Sequence, residues 1–343
     1  MSIPSIPGGH SGPKTPKLCV HLADVEDLDE DPTSFAVAMD GSLGARACLD
    51  LAYKFFFQKK AASTVEVIHI YDPTVQDGLM RGYKKDVIES DVRALDISHG
   101  KRFTLTVVPK NGSEVEGKTL CKWTYDKEEQ GHCIDFMLMG FKGSKNASEE
   151  ALLASDVSYC LAYSRCSMIV LRDWTMPESG LLHYLVPVDL SQWSEKALYD
   201  ALLLSNPGDK ITVLRVSFES QETEGRHKEY YQKLIDRISK KFGKPRDIQL
   251  QVVTSAGKGV SNCILDYADD SNVDFICMGT DVKRLQSQKS YLGSVSGSVL
   301  LSGRYPMVIA RYDAEFESVV SSNSKPFIEG LPQSLDIKIF GNK

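Results

Sequence analysis

One pattern occurs twice in this chain, and it narrows the possible folds more than any other feature. Phe35-Ala-Val-Ala-Met-Asp40-Gly-Ser42 is matched by Tyr184-Leu-Val-Pro-Val-Asp189-Leu-Ser191, each an apolar run closed by Asp-x-Ser and followed by a helix rich in alanine and leucine. Val65 to Tyr71 and Ile211 to Val216 read as second strands, and Phe103 to Val108 and Ile248 to Val253 as third strands. Helices are expected near Met80 to Ser98 and Arg226 to Phe242, where Tyr231, Leu234, Ile238 and Phe242 recur at helical spacing. Asp135-Phe-Met-Leu-Met-Gly140 then matches Asp274-Phe-Ile-Cys-Met-Gly279, and Met168 to Leu171 matches Met307 to Ala310. Asp40 and Asp189 stand 149 residues apart but Gly140 and Gly279 only 139, so the first copy carries extra residues mid-domain. Strands and helices that alternate this way imply a parallel sheet covered on both faces, built twice.

Composition sets the class. A chain of 343 residues with 42% hydrophobic and 25% charged residues suits two soluble globular domains. A net charge of -6 opposes a dedicated nucleic-acid binder, which needs a basic surface. No apolar run approaches the ~18 residues of a membrane helix, and the first residues lack the apolar core of a secretory signal. None of the eight cysteines forms a C-x-x-C pair, and most fall in apolar stretches. They read as buried, reduced thiols, which points to the cytoplasm.

The most informative stretch is Val273 to Arg311. A buried strand ends at Gly279-Thr280, a polar basic loop follows, and the chain restarts at Gly293-Ser294-Val295 as a helix before the strand Met307 to Ala310. Unpaired N–H groups at a helix start attract anions. Lys283, Arg284 and Lys289 lie on the loop, and no acidic residue occurs from Val282 to Arg311.

These residues, MGT, LGSVSGSVL and YPMVIAR, resemble the closing segment of the universal stress protein family. The resemblance covers both copies. It implies two tandem α/β domains, each a doubly wound parallel five-stranded sheet in the order 3-2-1-4-5, of adenine nucleotide α-hydrolase-like fold. In that family a G-x2-G-x9-G-[ST] pattern holds the ribose and phosphates of ATP. This chain departs from it: Val282 stands where the second glycine belongs, and ten residues separate Val282 from Gly293. The resemblance also implies an internal pseudo-dimer through the fifth strands, pairing Met168 to Leu171 with Met307 to Ala310.

In that strand order, strands 1 and 4 are neighbours whose connections leave on opposite faces, the switch point where α/β sheets bind ligands. The candidate nucleotide site of the second copy is therefore Asp189, Ser191, Val216, Gly279, Lys283, Gly293, Ser294 and Val295, with ATP and magnesium as the expected ligands. The first copy keeps Asp40, Ser42, Gly140, Gly143 and Ser155. Ala154 replaces the glycine of the Gly-Ser helix start, and Glu149 and Glu150 enter where phosphate would lie. That copy is expected to be empty and structural.

Other signals are weaker. Gly112 to Thr119 fits G-x4-G-K-[ST] literally, but Glu114 and Glu116 sit in the would-be phosphate loop and the repeat places the stretch at a sheet edge. Gly257-Lys258-Gly259 reads as a tight turn. The histidines are scattered, and no nucleophile elbow occurs. Residues 1–32 form an acidic extension with a short strand-like segment, 33–173 the first domain, 181–313 the second, and 314–343 a tail with strand-like alternation. Such tails, or open sheet edges, could engage protein partners. Two functions remain: a non-enzymatic regulator that binds an adenine nucleotide in the second domain, or a scaffold subunit with degenerate sites held in an assembly by its tails.

Overall fold

A computed structural model describes residues 33–58, 63–72, 86–90, 92–93, 103–110, 112, 114–142, 153–172, 174, 177–218, 221–239, 246–280 and 292–311. The first repeat runs β1 (Ser34–Ala38), α1 (Leu43–Gln58), β2 (Thr64–Tyr71), β3 (Phe103–Pro109), α2 (Glu116–Glu129), β4 (Phe136–Gly140), α3 (Ser155–Tyr163) and β5 (Ser167–Leu171). Residues 86–90 between β2 and β3 are also helical. The second runs β6 (His183–Val188), α4 (Gln192–Leu204), β7 (Lys210–Ser217), α5 (Gln221–Ser239), β8 (Asp247–Thr254), α6 (Val260–Asp270), β9 (Phe275–Thr280), α7 (Ser294–Ser302) and β10 (Met307–Arg311). Helix α5 begins five residues before the expected start at Arg226, in a polar stretch that carries no apolar periodicity.

Each repeat has the strand order 3-2-1-4-5, and all pairings inside a repeat are parallel. The repeats meet where β5 pairs antiparallel with β10, Met307 opposite Val170 and Ile309 opposite Met168, so one ten-stranded sheet runs through the molecule. Both fifth strands are buried along their whole length. This pairing removes one open edge from each sheet. Among the described strands the remaining edges are β3 and β8.

Alternation along the strands separates two cores. Phe35 and Val37 of β1 lie on the face covered by α1, α4 and α5, in the same core as Cys48, Leu198 and Tyr231. Ala36 faces the opposite side, in the core that α2, α3, α6 and α7 contribute through Leu120, Cys160, Ile264 and Val299. Side chains of period 2 on a doubly covered sheet give this result.

Polar groups also cross the seam. Ser167 Oγ donates to Asp200 Oδ2 at 2.6 Å and accepts from the N–H of Arg311 at 3.1 Å. Lys196 pairs with the same buried carboxylate. Arg172, just past β5, donates to the carbonyls of Leu300 and Leu301 at 2.7 and 3.2 Å, a cation at the C-terminal end of α7. Among the described residues no helix is long and apolar enough to cross a membrane.

Candidate functional site

The Asp-x-Ser motif builds the same turn in both repeats. Asp40 Oδ1 accepts the N–H of Ser42 at 2.9 Å, and Ser42 Oγ accepts the N–H of Ala45 at 3.2 Å. Asp189 Oδ1 accepts the N–H and hydroxyl of Ser191 at 3.1 and 2.5 Å, and Ser191 Oγ caps α4 by accepting from Ser194 N–H at 3.2 Å. Serine is a favoured N-cap because its short side chain reaches these otherwise unpaired donors. The middle residue is left-handed in both turns: Gly41 at φ 79° and Leu190 at φ 67°. A leucine in that region is strained. Its N–H is held by the hydroxyl of the fully buried Tyr231, whose own proton is retained well above the usual range by burial.

Beside these turns the ladder opens. The β1–β4 pairing stops at Val37 opposite Leu138, and the β6–β9 pairing at Leu185 opposite Ile276. The helices after β1 and β4 leave on opposite faces, which makes the crevice expected at a switch point. Gly140 and Gly279 each lie against the first turn of the neighbouring helix. A Cβ on Gly140 would come within 3.0 Å of Gly44, and one on Gly279 would collide with the backbone of Trp193. Strand–helix approach therefore requires the glycine at 279 and favours it at 140. Trp193 occupies the position of Gly44, and its half-buried indole was not singled out by any sequence pattern.

The fourth helices differ in charge. In the first repeat α3 begins after Ala154, and the exposed Ser155 is followed by Asp156, whose Oδ1 accepts the Gly117 N–H at 2.9 Å. In the second, α7 begins after Gly293, has no side-chain cap and carries no acidic residue in its first turn. Ser294 is exposed and Val295, the counterpart of Asp156, is half-buried. Val216 is buried at the end of β7, in the core to which α6 and α7 contribute. Asp189 is exposed at the mouth. The structure thus brings Asp189, Ser191, Val216, Gly279, Gly293, Ser294 and Val295 to one end of the sheet. Lys283 lies outside the described residues, as do Val282, Arg284, Lys289, Gly143, Glu149, Glu150 and both terminal segments.

The first repeat is not closed at this point. A cavity of about 60 Å³ opens between the ends of β1, β2 and β4 and the starts of α2 and α3. Ile70, Met139 and Leu120 supply apolar walls, and among the described residues Asp40, Glu116, Asp156 and one lysine, Lys142, line the opening. Three carboxylates against one ammonium repel a polyphosphate and suit an uncharged or cationic group. Among the described residues, the first repeat thus has an acidic opening at this point.

The literal phosphate-loop motif has another explanation. Gly117 sits in the first turn of α2, where a Cβ would lie 2.6 Å from Asp156 O, so the glycine allows α2 to pack on α3. Its N–H is occupied by the Asp156 carboxylate, Lys118 pairs with Glu114, and the preceding strand is an edge strand. At Gly257, φ 84° closes a tight turn, and Lys258 pairs with Asp266 at 2.5 Å. Among the described residues no His, Cys, Asp or Glu cluster could hold a metal ion.

Residues 182–311 match the sequence model of the universal stress protein family. Among solved structures, a universal stress protein from Archaeoglobus fulgidus DSM 4304 is similar over 81% of this chain and 98% of its own, with 18% identity and a TM-score of 0.62. A functionally unknown protein from Pseudomonas aeruginosa PAO1 is similar over 86% of this chain and 98% of its own, with 12% identity and a TM-score of 0.54. Shares of this size take in both repeats. A search of curated proteins found no match. The C-terminal half of this chain is a universal stress protein domain, and the chain builds that α/β fold twice.

Proposed function

We propose that the second repeat binds an adenine nucleotide, ATP or a close relative, at the ends of β6 and β9, and that its occupancy regulates a partner without a bond-breaking step. The observation that carries this reading is the start of α7: an N-terminus with no side-chain cap, no carboxylate in its first turn, and a place at the switch point. Unpaired N–H groups at the positive end of a helix dipole favour phosphate there. The family match supports the same repeat, since it covers residues 182–311 and not the first repeat. Within this reading Val216 and Trp193 supply apolar surface for a base, and Asp189 lies at the mouth for a ribose hydroxyl. Magnesium would arrive with the phosphates, and no described acidic cluster is needed for it.

A second reading, a scaffold subunit with degenerate sites, is favoured by one set of contacts. Asp40 and Asp189 both hold their own turns, and Gly140 and Gly279 both serve strand–helix packing. These residues would be kept for the fold alone.

Calorimetric titration of the full chain with ATP and magnesium, beside Gly293→Val, separates the two. Gly293 has φ -64°, so valine is conformationally acceptable and the variant should fold. The regulator reading expects one site in the wild type, lost in the variant. Heat that survives the substitution moves binding away from α7, and no binding at millimolar ATP leaves the scaffold.

A further inference from the structure

Helices α2 and α3 of the first repeat are pressed together at Gly117, and this approach brings two thiols into register. Cys121 Sγ lies 3.8 Å from Cys160 Sγ, and Cys160 Sγ also reaches the Gly117 carbonyl at 3.5 Å. Cys160 is fully buried and Cys121 half-buried. A disulfide bond is about 2.05 Å long, so the sulfurs need to close by roughly 2 Å.

Cys160 is held as the thiol by its hydrogen bond with Cys121 and by burial. Cys166 is likewise pushed up by burial, to about 12. Cys121 is the accessible member.

We propose that Cys121 and Cys160 form an oxidisable dithiol, and that its oxidant is a hydroperoxide. The Cys121 thiolate attacks the peroxide: an S–O bond forms, the O–O bond breaks, and the departing hydroxide takes a proton to become water. Cys160 gives up its proton and attacks the sulfenic sulfur. The S–S bond forms, the S–O bond breaks, and a second water leaves. Two electrons pass from the sulfurs to hydrogen peroxide, giving one disulfide and two waters. The bond would tie α2 to α3, whose first turns supply Glu116, Leu120, Asp156 and Val157 to the cavity of the first repeat. The second repeat has no such pair, because Val299 occupies the position of Cys160.

The test uses the full reduced chain, titrated with hydrogen peroxide, alkylated, digested without reductant and read by mass spectrometry. A Cys121–Cys160 cross-linked peptide is expected at peroxide levels that leave the half-buried Cys133 reduced. In Cys160→Ser, one sulfenic acid per chain should be trapped by dimedone at Cys121. Oxidation of Cys133 without the cross-link overturns the dithiol, as does failure to trap Cys121 in Cys160→Ser.

Discussion

Ser34 N–H donates to Asp135 Oδ2 in the first repeat, and His183 N–H to Asp274 Oδ2 in the second, both at 2.7 Å. Phe35 stacks on Phe136 at 5.7 Å, and Tyr184 on Phe275 at 5.6 Å. The two frames agree at the level of single contacts. At the crevice they part: Gly44 becomes Trp193, Asp156 becomes Val295, and Cys160 becomes Val299. The first repeat thereby gains an acidic opening and a thiol pair, and the second a tryptophan beside an uncharged helix start. The comparison separates what the fold demands from what the crevice is free to vary. Turns, strand-end glycines and core aromatics are held, while side chains at the helix starts change sign, size and reactivity.

The largest effect should come where the frames are tightest. Gly279→Ala drives a methyl into the backbone of Trp193, and only a shift of α4 relieves it, at a cost of about 3 kcal/mol. Gly140→Ala meets Gly44 at 3.0 Å, close to tolerable, and should cost about 1 kcal/mol. Urea unfolding midpoints measure both; equal costs would break the claim that Trp193 closes the second crevice more tightly.

A smaller effect sharpens the turn comparison. A Cβ on Gly41 would meet nothing within 4 Å, so Gly41→Leu adds left-handed strain with no packing in return. Leu190 is strained alike but packs against the core and is held by Tyr231. Gly41→Leu should destabilise by about 1 kcal/mol in the same assay. A neutral result would mean that the turn itself does not require the left-handed conformation.

The smallest effect is on pH dependence. Burial, then the charge of Lys210, holds His183 below its ordinary range, with Nδ1 donating to Ser271 O at 3.1 Å and Nε2 accepting from Thr212 Oγ1 at 2.8 Å. The unfolded chain binds a proton near pH 6.5 that the folded chain refuses. The stability contributed by neutral His183 is full above that value and declines as pH falls through it toward the lower folded value. Thermal scans between pH 7.5 and 5 should show the decline, and His183→Gln should flatten it. Ser34, the counterpart in the first repeat, has no proton to exchange in this range.

Much of this architecture is legible in the chain because it repeats along the chain. Apolar strands at fixed spacing, each Asp-x-Ser at a strand end and each Met-Gly closing strand 4 mark the order and the crevice. The missing parts act through space. Trp193 meets Gly279 across 86 residues of sequence, and no periodicity links them. Cys121 and Cys160 meet only because α2 packs on α3 at Gly117. The same glycine explains a misleading motif: its spacing imitates a phosphate loop, but its N–H is already taken by Asp156. Tyr231, read as one of a helical series, turns out to hold the strained Leu190.

The central claim is that one exchanged residue at the start of the fourth helix, Asp156 in one repeat and Val295 in the other, decides which crevice can hold phosphate. Val295→Asp transplants the first repeat's carboxylate into the second, at a half-buried position. Calorimetric titration with ATP and magnesium should then show affinity falling by about tenfold or more, with the wild-type fold retained by circular dichroism. Binding to the wild type that Val295→Asp leaves unchanged would contradict the account.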